Sequence, residues 1–282
     1  MKDLWVPISG AIAQQKNVET IANNVANANT PGFKKDQLAF KEHLQVLEKG
    51  YNDIDLPNKE WAPADFYRSY GAENAQVKVD GSYTNHQQGS LQPTNNPLDL
   101  GIHGKGFFEV LTPNGVRYTR KGTFSINSKN QLVTSDGFPV LSKLDIPESA
   151  LNRELASNKE IKLPQPEERI INLDKGNISI NLEGEIYQSG NRTGKLAIVE
   201  FEDIHAIKKE GNSFYINNDI RNIKNSELKS AVHQGFVEGS NVNAVSEMSN
   251  LIKAHRHFES IQKVIKAYDE VTGRGVNEIA KF

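Results

Sequence analysis

The chain has 282 residues, of which 37% are hydrophobic and 24% charged, so it is long enough to bury a core and too apolar to be disordered. Its formal net charge of −2 provides no global attraction for nucleic acid or anionic lipid, and we expect no nucleic-acid partner. The absence of cysteine excludes disulfides, cysteine-ligated metal sites and thiol nucleophiles.

The first element predicted along the chain is an amphipathic helix over about residues 4–27. Its seam positions follow one another in steps of three and four, which is the spacing of one helix face. The seam consists of Ile8, Ala11, Gln15, Val18, Ala22 and Val25. The helix should end before Thr30, because Pro31 disfavours helical geometry in the residue before it and Gly32 permits a chain reversal.

Asparagines are concentrated at the end of this helix, at Asn23, Asn24 and Asn27, with Asn29 just beyond it. Asparagine is a mediocre helix former because its side chain competes for backbone hydrogen bonds. Two interpretations are open. The side chains could bond to another chain and fix its register, or the cluster could be a frayed, solvated helix end.

The middle of the chain changes to a period of two, which is typical of strands. Pro113-Asn114-Gly115 predicts a hairpin with positive φ at the Asn-Gly positions, and further turns are predicted at 128–130, 136–137 and 183–184. We therefore predict a β-rich central domain over residues 76–235, with an insertion near 142–173. An irregular or extended linker over residues 36–75 precedes it, with its least regular part at 49–70.

A second, longer helix is predicted over residues 243–272, with a stop at Gly273 or Gly275. Its seam consists of Met248, Leu251, Ala254, Phe258, Ile261, Ile265 and Tyr268. The predicted fold class is α+β, with a β-rich central domain between terminal helices that pair as a coiled coil. The helices belong to terminal segments 1–35 and 236–282.

The sequence offers no pattern for catalysis, a cofactor or a metal. The glycines of residues 101–106 lie in the wrong order for a dinucleotide-binding motif and precede a predicted strand. His255 and His257 are two residues apart, which places them on different helix faces. No window is apolar enough to span a bilayer, and the first ten residues lack a signal-peptide core, so we expect neither membrane insertion nor a cleaved signal.

Three motifs together resemble the flagellar rod, hook and hook-associated axial proteins. Residues 23–34 resemble the N-terminal signature of that family, and residues 239–248 resemble its C-terminal signature. Residues 104–110, 118–124 and 132–137 are similar to its central domain. The length is similar to that of the two rod proteins of intermediate size. Two terminal motifs, residues 5–11 and 256–261, are more similar to the proximal-rod type than to the distal-rod type.

This resemblance implies a structural subunit of the flagellar basal-body rod that spans the periplasm and is not an enzyme. It implies self-assembly, contact with other flagellar rod proteins, and export through the flagellar type III apparatus. The predicted assembly interface comprises the two seams, the asparagine cluster and a set of signature residues. Those residues are Pro31, Gly32, Phe33, Asn241 and Asn243.

A different class of function is also open at this stage. A secreted, glycan-binding β domain with helical ends would share the strand pattern of residues 76–235 and the lack of catalytic motifs. Glycan or peptidoglycan binding by the central domain would distinguish this alternative, because the rod interpretation predicts a stable domain that binds neither.

Overall fold

A computed structural model describes residues 5–44, 75–143, 165–174, 176–211, 213–224 and 229–279. The prediction for residues 49–70 lies outside the described residues, as does the predicted insertion near 142–173 except for 142–143 and 165–173. Two helices, α1 (Trp5–Ala26) and α2 (Ala244–Ile279), lie on either side of a β-rich middle. The α+β class is confirmed.

Sixteen strands are found in the described part of the chain. They are β1 (Asp36–Leu44), β2 (Ala75–Thr84), β3 (Leu91–Pro93), β4 (Leu100–His103), β5 (Phe107–Thr112), β6 (Gly115–Thr119), β7 (Phe124–Ile126), β8 (Leu132–Thr134), β9 (Ile178–Ile180), β10 (Glu185–Gln188), β11 (Asn191–Lys195), β12 (Ile198–Val199), β13 (Lys208–Glu210), β14 (Phe214–Ile216), β15 (Ala231–Gln234) and β16 (Phe236–Glu238). Short 3-10 turns occupy Pro166–Arg169 and Ile220–Asn222.

The largest sheet has five strands in the order β12-β5-β6-β14-β13, and all four of its pairings are antiparallel. β10 lies between β9 and β11 in a three-stranded sheet. The remaining strands form the pairs β1–β2, β3–β16, β4–β15 and β7–β8. The pairs β3–β16 and β4–β15 join strands from opposite ends of the central region.

The predicted hairpin at residues 106–119 is confirmed, but the prediction of positive φ at both Asn114 and Gly115 is wrong for Asn114. Thr112 pairs with Gly115, so the two central turn residues are Pro113 and Asn114. Gly115 has φ +101°, whereas Asn114 is not among the residues with positive φ. The other turns are confirmed. Asn130, Gly137 and Gly184 have φ of 61°, 85° and 79° between the strands that they connect.

The predicted end of the second helix is wrong. α2 continues through Gly273 and Gly275 to Ile279, so it ends seven residues later than expected. Glycine favours a helix end only where the chain adopts a left-handed conformation, and neither glycine has positive φ. The predicted linker also contains regular structure, because its first residues form β1, which pairs with β2.

The chain divides into two compact units. The first, which we call the helical unit, comprises Met1–Ala26, Asp36–Tyr83 and Asn243–Phe282, and the second, the β-body, comprises Asn27–Lys35 and Thr84–Val242. The β-body contains two hydrophobic clusters. The larger is built on side chains such as Phe108, Leu132 and Ile186, and the smaller surrounds Phe107 and Tyr215.

We predict that Gly273→Ala will raise the helix content and stabilise α2 by about 1 kcal/mol, because alanine is the better helix former at an exposed site. A Cβ at Gly273 would meet no atom within 4 Å. Gly137→Ala is the matched control, since it has equal space but φ +85°, and should destabilise by about 1–2 kcal/mol. Circular dichroism during thermal unfolding measures both. Equal effects of the two substitutions would contradict the prediction.

Candidate assembly interface

The two helices pack against each other within the helical unit, and small side chains lie at their contact. Ala13 and Ala254 are both buried. Gln14 donates a hydrogen bond from Nε2 to the carbonyl oxygen of Ala254, at 3.0 Å. Small residues at such a contact allow helix axes to approach closely, and the Gln14 bond fixes one point of the alignment.

The predicted seam of α2 lies largely on its covered side. Ala254 is buried and Leu251, Phe258, Ile261 and Ile265 are half-buried. Met248 and Tyr268, at the two ends of the predicted seam, are exposed. The steps of three and four therefore identified the covered face over the middle of this helix.

The predicted seam of α1 is only partly covered. Its members Ile8, Ala11, Val18 and Val25 are half-buried, whereas Gln15 and Ala22 are exposed. The two buried residues of this helix, Ala13 and Asn24, were not in the predicted seam. Small and neutral residues occur all round α1, so spacing alone does not select one face.

Asn24 makes a specific contact inside its own chain. Its side-chain amide donates to the carbonyl oxygen of Asp36 at 2.8 Å, and its Oδ1 accepts from the Asp36 N–H at 3.0 Å. The carboxamide thereby pairs with both backbone groups of Asp36, as a neighbouring strand would. Asn23 and Asn29 are exposed, and the Oδ1 of half-buried Asn27 accepts from the Thr30 hydroxyl at 3.1 Å.

The signature segment Asn27–Lys35 belongs to the β-body, where Gly32 and Phe33 are buried and Pro31 is half-buried. Gly32 has φ +69°, and a Cβ there would lie 2.5 Å from the backbone nitrogen of Lys121. The Phe33 ring lies under Lys209, whose Nζ is 3.8 Å from the ring centroid. The fixed Gly32 conformation and this cation–π contact hold the segment in place.

Lys34 is the most deeply placed residue of this segment, with a relative exposure of 0%. Its Nζ lies 2.5 Å from Oε1 of Glu238 and donates to the carbonyl oxygen of Gln87 at 2.7 Å. The second oxygen of Glu238 accepts from Nη1 of Arg120 at 3.1 Å, and the N–H of Gly89 donates to the first at 2.9 Å. One buried carboxylate therefore pairs with two buried cations. We call Lys34, Glu238 and Arg120 the buried ion cluster.

Burial lowers the pKa of the Lys34 ammonium, and the Glu238 carboxylate opposes that change. Burial lowers the pKa of the Arg120 guanidinium as well, again against the attraction of Glu238. Sequence patterns do not reveal this cluster, because Lys34 and Arg120 lie 204 and 118 residues from Glu238 along the chain. The only available signal was the position of Lys34 at the end of the first signature.

The two asparagines of the second signature also act within the chain. Asn241 accepts from the Lys35 N–H at 2.8 Å and donates to the carbonyl oxygens of Asn85 and Gln87. Asn243 accepts from the N–H of Ser246 at 3.0 Å, which is the usual contact of a residue that caps a helix start. Asn241 thus joins three segments of the β-body, and Asn243 begins α2.

Large exposed hydrophobic side chains are concentrated in the helical unit. Of thirteen such residues in the described chain, eleven lie in this unit and only Leu182 and Ile220 lie in the β-body. The eleven are Trp5, Ile12, Phe40, Val77, Tyr83, Val245, Met248, Ile252, Val264, Tyr268 and Val271. Conversely, of 28 buried hydrophobic residues, Ala13 and Ala254 alone belong to the helical unit.

No group of three or more histidines or carboxylates that could hold a metal ion is found among those described. No described helix is both long and apolar enough to cross a membrane.

We predict that Glu238→Gln will destabilise the protein by about 3–5 kcal/mol, because it leaves Lys34 and Arg120 charged and buried without a counter-ion. Lys34→Met should cost less, since Glu238 then keeps Arg120. Glu19→Gln is the control, because it changes only exposed contacts, with Lys16 and Gln15. Urea unfolding followed by circular dichroism gives the three values. A loss for Glu238→Gln no larger than for Glu19→Gln would contradict the prediction.

Three families of known proteins match this chain in succession. Residues 5–34 match the family described as "Flagella basal body rod protein". Residues 101–188 match the "Flagellar hook protein FlgE/F/G D1 domain". Residues 233–278 match "Flagellar basal body rod FlgEFG protein C-terminal". The first and last matches include the two helices, and the first also includes Lys34.

Individual relatives are similar over nearly their whole length. The chain is 33% identical to the flagellar basal-body rod protein FlgG of Borreliella burgdorferi, over 97% of both chains. It is 29% identical to the flagellar hook-basal body complex protein FlhO of Bacillus subtilis, over the full length of both. It is 28% identical to the flagellar basal-body rod protein FlgF of Caulobacter vibrioides, over 99% of this chain and 98% of that one. The chain therefore belongs to the family of flagellar basal-body rod proteins.

Proposed function

We propose that the protein is a structural subunit of the flagellar basal-body rod and assembles through its helical unit. The observation that carries this proposal is the uneven distribution of apolar side chains. Eleven of the thirteen large exposed hydrophobic residues lie in the helical unit, whereas the β-body buries its own. A concentration of exposed apolar side chains in one unit is typical of a protein interaction site.

The helical unit needs partners for a physical reason. Among its described residues, the only buried hydrophobic ones are two alanines, which supply little of the apolar burial that stabilises a folded unit. In addition, a two-stranded pair such as β1–β2 is at best marginally stable in water by itself. Neighbouring subunits would supply the missing burial. A head-to-tail contact that does not close generates a helical filament.

The seams support pairing of α1 and α2 as a coiled coil. The helices contact each other in the helical unit, and the covered residues Leu251, Ala254 and Phe258 of α2 follow the expected steps of three and four. Asn24 and Asn241 are better explained as residues that stabilise the fold of a single chain. Asn24 and Asn241 bond within the chain, so the interface in our proposal depends on the helix faces rather than on these two side chains.

The proposal includes the partners and location of such a subunit. Relatives carry the names of basal-body rod proteins, which supports contact with other rod proteins and a non-enzymatic role. A rod subunit lies in the basal body across the periplasm. We further propose that it is exported without a cleaved signal, through the flagellar type III apparatus.

Two positions in the rod are compatible with these observations. The terminal motifs are more similar to the proximal-rod type, FlgF. Identity is higher with FlgG of Borreliella burgdorferi, at 33%, than with FlgF of Caulobacter vibrioides, at 28%, which favours the distal-rod type. The two types predict different rod lengths when the subunit is missing.

Deletion of the gene in its own bacterium, followed by electron cryo-tomography of the basal bodies, tests the proposal. A rod that stops near the inner-membrane ring is expected for a proximal subunit. A longer stub without its outer part is expected for a distal one. Cells with complete flagella would contradict the rod function and favour the glycan-binding alternative.

We also predict that Ile265→Asp will abolish assembly while the β-body stays folded. Ile265 is a half-buried residue of the helical unit, and a buried carboxylate at a helix contact is costly. Leu182→Asp is the control, because Leu182 is exposed on the β-body. Complementation of the deletion strain is scored by counting hooks and filaments. Normal flagella with Ile265→Asp would show that this seam is not used.

A further inference from the structure

Two histidines of the β-body come together on one face of the β4–β15 pair. His103 belongs to β4 and His233 to β15, and their ring centroids lie 6.3 Å apart. In the antiparallel register, Ala231 lies opposite His103 and Gly101 lies opposite His233. Residues directly opposite each other share a face, as do residues two apart along one strand. Both imidazoles therefore stand on the same face, and the other two positions there carry only small residues.

The backbone around His103 is fixed from the open edge of β4. The side-chain amide of Gln88 accepts from the N–H of Gly104 at 3.1 Å and donates to the carbonyl oxygen of Ile102 at 3.0 Å. Gln88 thus bonds to the residue on each side of His103. The position of this histidine is consequently set by hydrogen bonds that do not involve its own ring.

The backbone around His233 is fixed in a similar way. The N–H of Val232 donates to the carbonyl oxygen of Leu182 at 2.9 Å. The side chain of Gln234 donates to the carbonyl oxygen of Ile178, also at 2.9 Å. Both neighbours of His233 are therefore tied to the segment that contains β9 and the turn after it. A pair of ligands on such rigid strands loses little freedom when it binds an ion.

Both imidazole rings are available to a ligand from solution. His103 is exposed and His233 is half-buried. Their contacts within the described chain are ring contacts, with each other and, for His233, with Phe236 at 6.1 Å, and neither ring nitrogen forms a hydrogen bond there. Each neutral imidazole keeps one nitrogen that can bind a metal ion.

The separation of the rings suits one transition-metal ion. A metal–imidazole bond is about 2.0–2.1 Å long, so two imidazoles on one ion have their ring centres about 5–6 Å apart. A small rotation of the exposed His103 ring reaches that value from 6.3 Å. Structural zinc sites usually have four protein ligands, whereas Cu²⁺ and Ni²⁺ accept tetragonal sites of nitrogen and oxygen ligands, and Cu²⁺ binds more tightly than Ni²⁺.

We propose that His103 and His233, which we call the β4–β15 histidine pair, bind a divalent transition-metal ion, with Cu²⁺ held most tightly. Water fills the coordination positions that the protein leaves open. The ion links strands from opposite ends of the central region, and it stabilises the β-body because it binds the folded state in preference to the unfolded one. This inference does not depend on the proposed rod function.

Titration of the purified full chain with CuCl₂, followed by calorimetry, tests the site. His103→Ala and His233→Ala should each weaken Cu²⁺ binding by about 100-fold or more, because the second imidazole of the pair binds an ion that the first already holds. His205→Ala is the matched control, since His205 is also exposed on the β-body and its ring also lies near a second histidine, His86, at 6.4 Å. This control should bind as the natural chain does.

Two further measurements separate metal binding from a loss of folding. Electron paramagnetic resonance of the Cu²⁺ complex should show coupling to two imidazole nitrogens, and to fewer in either variant of the pair. Cu²⁺ should raise the thermal unfolding midpoint of the natural chain and of His205→Ala, but not of His103→Ala or His233→Ala. Without metal, all four proteins should unfold at about the same temperature.

The outcomes separate this inference from the rod function. If the chain binds no Cu²⁺, or if removal of His103 or His233 leaves binding unchanged, the site is wrong while the rod function stands. If His205→Ala abolishes binding instead, the ion belongs to another pair and the β4–β15 assignment is wrong. Complete flagella after deletion of the gene contradict the rod function alone.

Discussion

The β-body depends on one buried carboxylate. Glu238 lies near the end of the β-body segment, and it pairs with Lys34 from the first signature and with Arg120, which follows β6. A buried ion pair gains little over an apolar packing of the same size, but a half-pair is very costly. Stable folding of the β-body therefore requires all three residues of the buried ion cluster to come together. The β-body is complete only when residues 204 apart in the sequence have come together.

The helical unit is limited by how little apolar surface its described residues bury. The β-body uses its large apolar residues for its own two cores, and the described residues of the helical unit bury only two alanines among hydrophobic side chains. Its stability as a separate unit is consequently low, since helices of globular proteins are stabilised mainly by packing of an apolar face. One chain thus contains a β-body that buries its own apolar residues and a helical unit that, in our proposal, neighbouring copies complete.

The sequence predicted the features that depend on local spacing. The two helices, the turns at Asn130 and Gly137, and the covered face of α2 all follow from periodicity and from residues that accept positive φ. The buried ion cluster could not be found in this way, because charged residues far apart in sequence leave no periodic signal. The predicted seam of α1 omitted the buried residues Ala13 and Asn24, because alanine and asparagine do not mark one face by spacing. Gly273 was predicted to end α2, but a long helix can tolerate an exposed glycine.

Exposure of so many apolar residues raises the question of how a free subunit avoids aggregation. Along α2 they are divided into short groups, Val245 to Ile252 and Val264 to Val271, with a span of mostly exposed polar and charged residues between them that includes Lys253, Glu259 and Lys263. Each group contains only three large exposed hydrophobic residues, far fewer than the roughly 20–30 residues that each side of a standard interface contributes. Several weak contacts made at once are far stronger than any one of them, because later contacts form within an already joined assembly. This division favours a soluble subunit and a stable filament from the same side chains.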